Sequence, residues 1–296
     1  MKIFFENINL NSTSGPNSFA KKLLKGVYHH KHSVTNDIQK ADTHLCFIES
    51  RIGSDTVPMF QRLDGIYFNS DQDYKSQNSN IQKTYHRAHG VIFQTKFNKE
   101  LTFKYFGEHP NTKVIHNAAD LELINQIRPL SHPKLKKYDN IWACASKWRP
   151  HKRLEDNIQY FLEHSGNNDC LVVAGATPKR MKHERVIYVG EVDQKQLLSL
   201  YKIAKYFVHL AWLDHCPNVV VDARASGCEI ICSSSGGTKE IAGPSATLIE
   251  EEKWNFQPVK LYDPPQLDFN KKIKNSFNSD CDIINIAKEY CEFLSE

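Results

Sequence analysis

The sequence predicts an α/β protein built from two doubly wound domains, each with a parallel sheet covered by helices on both faces. Three observations support this prediction. Strand-like apolar runs alternate with amphipathic, helix-like segments along the whole chain. The 296 residues are enough for two domains of ordinary size. A polar, proline-containing stretch over residues 128–140 separates two series of alternating elements and has the composition of a linker.

The predicted strands of the first half are short runs rich in β-branched and aromatic residues, with helical patterns between them. The first helix opens after a loop that contains Gly15, and Gly107 stops the third helix. The predicted strands cover residues 2–5, 44–48, 65–68, 91–94 and 113–115, and the predicted helices cover residues 17–24, 81–88 and 98–106.

The second half repeats this alternation after the linker. A helix that carries Leu154, Ile158 and Phe161 on one face ends at Gly166. Further strands are predicted over residues 140–145, 171–174, 186–189, 206–210 and 228–232, and further helices over residues 194–204 and 283–294. We therefore expect one domain over residues 1–130, a second over residues 131–275, and a terminal helical segment over residues 276–296.

Composition narrows the class of protein. Hydrophobic residues make up 40% of the chain and aromatic residues 11%, which is enough for packed cores and excludes a disordered protein. The net charge of +4 is mild and spread along the chain. That charge favours anionic small molecules or a weak membrane-surface contact over nucleic acid.

The sequence also indicates a compartment. Charge interrupts the first residues too early for a signal peptide, and no apolar run approaches the roughly 20 residues that span a bilayer. Eight cysteines are present, but none forms a Cys-x-x-Cys pair, so neither a zinc site nor a disulfide framework is indicated. We expect a protein of the reducing cytoplasm.

The most informative motif is a pair of carboxylates, Asp214 and Asp222, separated by seven residues. Pro217 suits the first turn of a helix, and Gly227 suits its end. Asp214 would precede this helix and Asp222 would lie within it, so both can face one cleft beside the positive helix end. The motif resembles the Glu-(seven residues)-Glu signature of retaining glycosyltransferases of family 4, with aspartate at both positions.

Further landmarks resemble the same family. Residues 233–241 (Ser-Ser-Ser-Gly-Gly-Thr-Lys-Glu-Ile) resemble its glycine pair, and residues 147–154 (Lys-Trp-Arg-Pro-His-Lys-Arg-Leu) resemble its Arg-Leu-x-Pro-x-Lys-Gly segment. The loop that holds the nucleobase, the link between domains and the N-terminal glycine loop resemble residues 189–193, 114–120 and 14–19. These landmarks follow the family's order and span nearly the whole chain.

The resemblance implies the GT-B architecture, in which two Rossmann-like domains face each other across a cleft and the last helix crosses back to the first domain. It also implies a retaining transfer of a sugar from a UDP- or GDP-linked donor to an acceptor hydroxyl of a glycan or glycolipid. The family implies neither a metal nor a cofactor for this reaction.

Charge control is the main requirement of such a transfer. The departing diphosphate gains negative charge while the sugar carbon becomes oxocarbenium-like, so an enzyme without a metal needs cationic side chains and backbone donors there. By resemblance, Lys152 and Lys147 occupy the positions of the diphosphate-binding lysine and arginine, and Arg149 is an alternative source of the guanidinium. Asp214 is expected to approach the donor sugar. The competing interpretation of the three cations is a solvated loop.

The rest of the donor site also follows from the resemblance. Asp222 is expected to bind the ribose, because a carboxylate accepts two hydroxyl hydrogen bonds with charge assistance. Gly15 would let the diphosphate approach the backbone at a helix N-terminus. The other expected donor-binding residues are Val192 near the base, Pro217 and Asn218 at the helix start, Gly236, Gly237 and Thr238 through backbone N–H groups, and Arg62 and Asp64 from the first domain, with Thr95 and Lys96 as further cleft candidates.

Two other classes of function stay open. A nucleotide-sugar isomerase of the same fold would act without an acceptor, and a catalytically silent nucleotide-binding module is compatible with the two glutamate-to-aspartate changes. Peripheral membrane contact through Lys21, Lys22 and Lys25 is a third possibility, with a solvated helix face as the preferred interpretation. The histidines of residues 29–32 are interpreted as a solvated turn rather than a metal site.

Overall fold

The computed structural model describes residues 1–53, 56–177 and 180–296. Its first sheet is parallel throughout and consists of β1 (Lys2–Glu6), β2 (Ser33–Thr35), β3 (Thr43–Phe47), β4 (Met59–Leu63), β5 (Gly90–Phe93) and β6 (Thr112–Val114). The strand order is β2-β1-β3-β4-β5-β6. The crossover helices are α1 (Gly15–His29), α2 (Tyr74–Arg87) and α3 (Lys96–Phe106).

The second sheet follows the short helix α4 (Leu121–Gln126). Its strands are β7 (Ile141–Ala145), β8 (Cys170–Ala174), β9 (Val186–Gly190), β10 (Ala204–His209), β11 (Glu229–Ser233), β12 (Thr247–Ile249) and β13 (Lys272–Lys274). They lie in the order β13-β12-β11-β10-β7-β8-β9, and the edge strand β13 is antiparallel to its neighbour. The helices are α5 (Leu154–His164), α6 (Gln194–Tyr201), α7 (Asn218–Ala225) and α8 (Thr238–Ile241).

Both sheets bury apolar side chains on both faces. In the first sheet, Phe5, Phe47 and Phe60 contribute to one buried cluster, whereas Leu63 and Phe93 contribute to the other. The second sheet is covered in the same way by two further clusters. Parallel strands buried on both faces define a doubly wound sheet, so the predicted fold class is confirmed for both halves.

One predicted strand is wrong. Residues 65–68 do not join the sheet, and the strand of this region is β4, which ends at Leu63. The polar residues Gln61 and Arg62 obscured it in the sequence, although both are completely buried. Gly65 has a φ of +136°, and the ring of His215 lies 2.5 Å from where a Cβ would stand. The short elements β2, α4, β12 and β13 lacked a sequence signal long enough to predict them.

The terminal helix α9 (Ile283–Phe293) packs against α1 of the first domain. The approach is so close that a Cβ at Gly26 would overlap the Cβ of Ala287. Ile283, Ile286 and Tyr290 join the same buried cluster as β1 and β3. The helix therefore completes the core of the first domain, while the predicted boundaries at residues 130 and 275 stay predictions.

A second segment also crosses to the first domain, and we call residues 254–261 the strap. Trp254 and Phe256 pack against the cluster that contains Phe68 and Phe97, and the rings of Phe68 and Trp254 are 4.7 Å apart. Val259 forms a parallel bridge with Asn69 and hydrogen bonds with the backbone of the neighbouring residues. The strap thus binds the two domains together through both apolar and backbone contacts.

Within the described residues, no helix is both long and apolar enough to cross a membrane.

Candidate active site

The candidate site lies where loops of the second domain meet the first. The strands β7, β10 and β11 are parallel neighbours, so the loops after them emerge at one edge of the sheet. Lys152 ends a short 3₁₀ turn (Pro150–Lys152) after β7, and Asp214 lies in the loop after β10. Gly236 and Gly237 follow β11. The fold therefore brings three of the predicted motifs to one place.

The carboxylate of Asp214 is the centre of this site. Its Oδ2 accepts hydrogen bonds from Lys152 Nζ at 2.5 Å and from His209 Nε2 at 2.9 Å. Its Oδ1 accepts from the backbone N–H of His215 at 3.0 Å. Burial alone would raise the pKa of Asp214, but the charge of Lys152 and the hydrogen bond from His209 hold it well below its ordinary value. Asp214 is therefore an anion, and hydrogen bonds hold both of its carboxylate oxygens.

The glycine pair determines where this loop lies. Gly236 has a φ of +69°, and a Cβ on it would stand 2.5 Å from the carbonyl oxygen of Asp214. A Cβ on Gly237 would overlap the carbonyl oxygen of His215 and stand 2.6 Å from Thr95 Oγ1. Only glycine lets the backbones approach this closely. The pair thus seats the Asp214 loop against the first domain.

The backbone donors of the glycine pair are arranged differently from the expectation. The N–H of Gly237 donates to the carbonyl oxygen of Asp214 at 2.8 Å, so it is already engaged. Thr238 is completely buried, and within the described chain its Oγ1 has no hydrogen-bond partner. The loop therefore supports Asp214 in this conformation.

The predicted cations divide into two groups. Lys152 is half-buried and paired with Asp214, with 18% of its side chain exposed. Lys147 and Arg149 are exposed on the loop before it. Trp148 anchors that loop, since its Nε1 donates to the carbonyl oxygen of Ala174 at 2.9 Å. Lys152 is thus the cation that the fold holds in place, while Lys147 and Arg149 remain solvated.

The segment that carries these groups matches a known family model. Residues 129–256 match glycosyl transferases group 1. This segment, which we call the matched segment, contains Lys152, Asp214, Asp222 and the glycine pair. No curated protein matches the chain by sequence.

Solved structures similar to this chain include glycosyltransferases. Anabaena Alr3699/HepE in complex with UDP-glucose has a TM-score of 0.66 at 13% identity, with 100% of this chain and 99% of that chain covered. AviGT4, involved in avilamycin A biosynthesis, has a TM-score of 0.65 at 13% identity, with 99% and 97% covered. WaaG, involved in lipopolysaccharide biosynthesis, has a TM-score of 0.63 at 11% identity, with 88% of each chain covered. At these identities the likeness establishes the GT-B fold.

In the matched segment, Asp222 already has a partner. Its Oδ1 accepts a hydrogen bond from Lys22 Nζ at 2.6 Å, and the same ammonium donates to the carbonyl oxygen of Ala118. Burial raises the pKa of Asp222, and the charge of Lys22 opposes that rise. The expected free ribose-binding carboxylate is therefore part of an ion pair between domains. Lys22 is 5% exposed, so the interpretation of this lysine as part of a solvated helix face is wrong.

Gly15, Pro217 and Asn218 meet at the junction of the two domains. Pro217 is the N-cap of α7, and Asn218 is its first residue. Asn218 Nδ2 donates to the carbonyl oxygen of Gly15 at 3.0 Å. Among the described residues, Asn218 Oδ1 is buried without a partner. Within residues 1–53, 56–177 and 180–296, a Cβ on Gly15 would find only Asn218 Nδ2, at 3.8 Å, so this conformation does not itself require glycine there.

Arg62 and Asp64 have separate positions. Arg62 is completely buried and hydrogen-bonds to Asp64, to Asn117 Oδ1 at 2.7 Å and to Tyr290 OH at 3.0 Å. Its burial leaves no surface for direct contact with a donor, which corrects the expectation. Asp64 also accepts from Gln94, and its Oδ2 is buried without a partner in the described part of the chain. Burial raises the pKa of Asp64, and the charge of Arg62 opposes the rise.

Glu240 of the matched segment caps a helix of the first domain. Its two carboxylate oxygens accept from the backbone N–H groups of Lys96 at 2.8 Å and Phe97 at 2.9 Å. These are the first two residues of α3, whose N-cap is Thr95. Thr95 Oγ1 also donates to the carbonyl oxygen of His215 at 3.2 Å. The candidates Thr95 and Lys96 therefore contact the second domain, Lys96 through its backbone.

Val192 lies between β9 and α6 and is half-buried. Its side chain packs against the core of the second domain, which leaves its backbone for the expected contact with a base. Over residues 1–53, 56–177 and 180–296, no group of three or more His, Cys, Asp or Glu side chains is arranged to hold a metal ion.

Three residues of the site were not predicted from the sequence. His209 ends a strand and looked like part of an apolar run, Lys22 looked like a surface lysine, and Glu240 was only part of the glycine motif. Their partners lie 5, 200 and 144 residues away along the chain, respectively. The one signal that could have indicated Lys22 is that a charged residue stands at a position that the amphipathic pattern would bury.

Proposed function

We propose that this protein is a retaining glycosyltransferase that moves a sugar from a UDP-linked donor to an acceptor hydroxyl without a metal. The observation that carries the proposal is the Lys152–Asp214 pair, held at the strand ends of a segment that matches glycosyl transferases group 1. Support for UDP comes from HepE, whose structures contain UDP-glucose, UDP, and UDP with glucose. A GDP-linked donor is the next choice.

In this proposal, Lys152 neutralises the charge that develops on the departing diphosphate. Its ammonium has three N–H donors, and over the described parts of the chain one of them serves Asp214, which leaves two for phosphate oxygens. A fixed cation in a half-buried site stabilises this charge more strongly than a mobile one in water. Lys147 and Arg149 are exposed and add positive charge at the entrance.

The acceptor hydroxyl would attack the face from which the diphosphate leaves, and a diphosphate oxygen would receive its proton. Among the residues that the structure describes, no partner is found for one buried oxygen of Asp64, which is our candidate for a hydroxyl contact from the first domain. The ribose would have to share Asp222 with Lys22 or displace it. We propose a glycan or glycolipid acceptor, by analogy with WaaG and AviGT4, and a cytoplasmic protein with peripheral membrane contact.

Nucleotide release from a panel of UDP- and GDP-sugars, measured with EDTA present, tests the proposal. Release from one donor, with the sugar recovered on an acceptor in the same anomeric configuration, supports it. Rearrangement of the donor without an acceptor would identify an isomerase. Nucleotide binding without turnover across donors and acceptors would indicate a silent module.

A further inference from the structure

The hydrogen bond between His209 and Asp214 indicates a role for a residue that lies outside the motifs described above. We infer that His209 is a positioning residue, which acts through Asp214 to hold the Lys152 ammonium ready for a diphosphate. This inference rests on the proposed function and deepens it, because it names a determinant of diphosphate binding.

His209 is fixed at the end of β10. It is 3% exposed, and its ring stacks on Phe207 with an interplanar angle of 12°. Its Nε2 lies 2.9 Å from Oδ2 of Asp214. A carboxylate accepts but does not donate, so Nε2 carries the proton in this bond. The ring is therefore a rigid donor built into the sheet, directed at the carboxylate that holds Lys152.

Lys152 and His209 share one oxygen atom of Asp214. The ammonium lies 2.5 Å and the imidazole 2.9 Å from Oδ2, while the His215 N–H occupies Oδ1. Without His209, the carboxylate could rotate toward Lys152 and neutralise it more completely. A second donor on the same oxygen draws part of the negative charge away. Lys152 thus stays anchored while keeping positive charge for a phosphate.

The short arm of Asp214 makes this support necessary. Aspartate has one methylene fewer than glutamate, so its carboxylate lies closer to its own loop. Leu213, just before it, has a φ of +53°, and Gly236 admits the Asp214 backbone at a distance that any side chain would block. His209 meets the carboxylate beside this loop. The burial of His209 lowers its pKa against the opposing effect of Asp214, which keeps the ring neutral.

Calorimetry with inorganic pyrophosphate tests the inference without a choice of nucleobase. His209→Gln places an amide nitrogen near the position of Nε2, whereas His209→Asn places it near Nδ1, too far back to reach Asp214. We expect His209→Asn to weaken pyrophosphate binding about tenfold and His209→Gln to stay within about threefold of the wild type. His164→Asn, at a half-buried histidine of α5 away from the site, is the control and should bind like the wild type.

The Lys152→Ala background shows whether His209 acts through the lysine. There, His209→Asn should cause no further loss of pyrophosphate affinity. If the two His209 variants differ in their urea midpoints, each pyrophosphate affinity is calculated from the concentration of folded protein. The folded fraction is measured at the temperature of the titration. An equal loss with and without Lys152, equal binding by the two His209 variants, or absence of pyrophosphate binding by the wild type would overturn the inference.

The transfer assay separates this inference from the proposed function. If the pyrophosphate results hold but no nucleotide-sugar reacts, the positioning role stands and the transferase proposal fails. If a donor reacts and His209→Asn turns over and binds like the wild type, the proposed function stands and the positioning role fails.

Discussion

Lys22 Nζ lies 2.6 Å from Asp222 Oδ1, and this ion pair joins helix α1 of the first domain to helix α7 of the second. Both side chains are nearly inaccessible, at 4% and 12% exposure. A buried pair of this kind stabilises less than its separation suggests, but the loss of one partner leaves an uncompensated charge. The relative position of the domains therefore depends on a lysine that the sequence pattern placed on the surface.

We expect Lys22→Met to lower the free energy of unfolding by about 3–5 kcal/mol, because it leaves the Asp222 carboxylate buried without a counter-charge. Urea unfolding followed by circular dichroism measures this loss. Lys21→Met, at the exposed neighbouring position on α1, is the matched control and should stay within about 0.5 kcal/mol of the wild type. Equal losses for the two variants would contradict the pairing.

We expect Lys152→Ala to reduce sugar transfer about 10²- to 10³-fold, the usual effect of removing one preorganised group that stabilises developing charge. Nucleotide release under saturating donor measures this reduction. The fold should survive, because Asp214 keeps its bonds to His209 and the His215 N–H. Lys205→Ala, at an exposed position on β10, serves as the control. Turnover near the wild-type rate would remove Lys152 from the proposed chemistry.

We expect Gly236→Ala to destabilise the protein more than Gly227→Ala. Both glycines have positive φ angles, +69° and +101°, so both substitutions strain the backbone by about 1 kcal/mol. At Gly227 the new Cβ enters open space, whereas at Gly236 it meets the backbone of Asp214 at 2.5 Å. Thermal unfolding of both variants separates the cost of backbone strain, which both share, from the cost of the steric overlap at Gly236. The same loss at both positions would show that the Asp214 loop can move away freely.

Glu240→Gln should weaken the contact between the domains. One of the two α3 N–H groups loses its acceptor, and the positive helix end loses its counter-charge. The expected loss is about 1–3 kcal/mol in the free energy of unfolding, measured with urea. Glu250→Gln, at an exposed position, should have little effect. If Glu240→Gln matched that control, the carboxylate would not be acting as a cap in solution.

Glu6 provides a prediction for acid stability. Burial would raise the pKa of Glu6, but hydrogen bonds from His44, Ser50 and the Arg51 backbone lower it from 4.5 to about 2. A lowered pKa stabilises the fold above pH 4.5, and that contribution is lost as the pH falls from 4.5 toward 2. We expect Glu6→Gln to remove on the order of 1–2 kcal/mol of this pH dependence. Urea midpoints between pH 3 and 6 that fall equally in both proteins would refute the assignment.

The sequence predicted the architecture better than the contacts of the site. Alternating apolar runs depend on nearest neighbours, so they indicated most strands and α9 within a few residues. The pattern failed at β4, because Gln61 and Arg62 are polar yet buried with partners from other elements. The partners of Asp222 and Glu240 were missed for the same reason, because they belong to other elements. A contact between residues more than a hundred positions apart leaves no local trace in one sequence.

The packing of α9 against α1 also determines when the first domain can finish folding. Tyr290 and Phe293 are part of the same buried cluster as β1 and β3, so residues 1–114 cannot bury that face when they leave the ribosome. The second domain, made in between, can close its own sheet first. We therefore expect the first domain to mature after the second, the reverse of the usual N-terminal-first order, and nascent chains halted before residue 283 to expose the apolar face of α1 to chaperones.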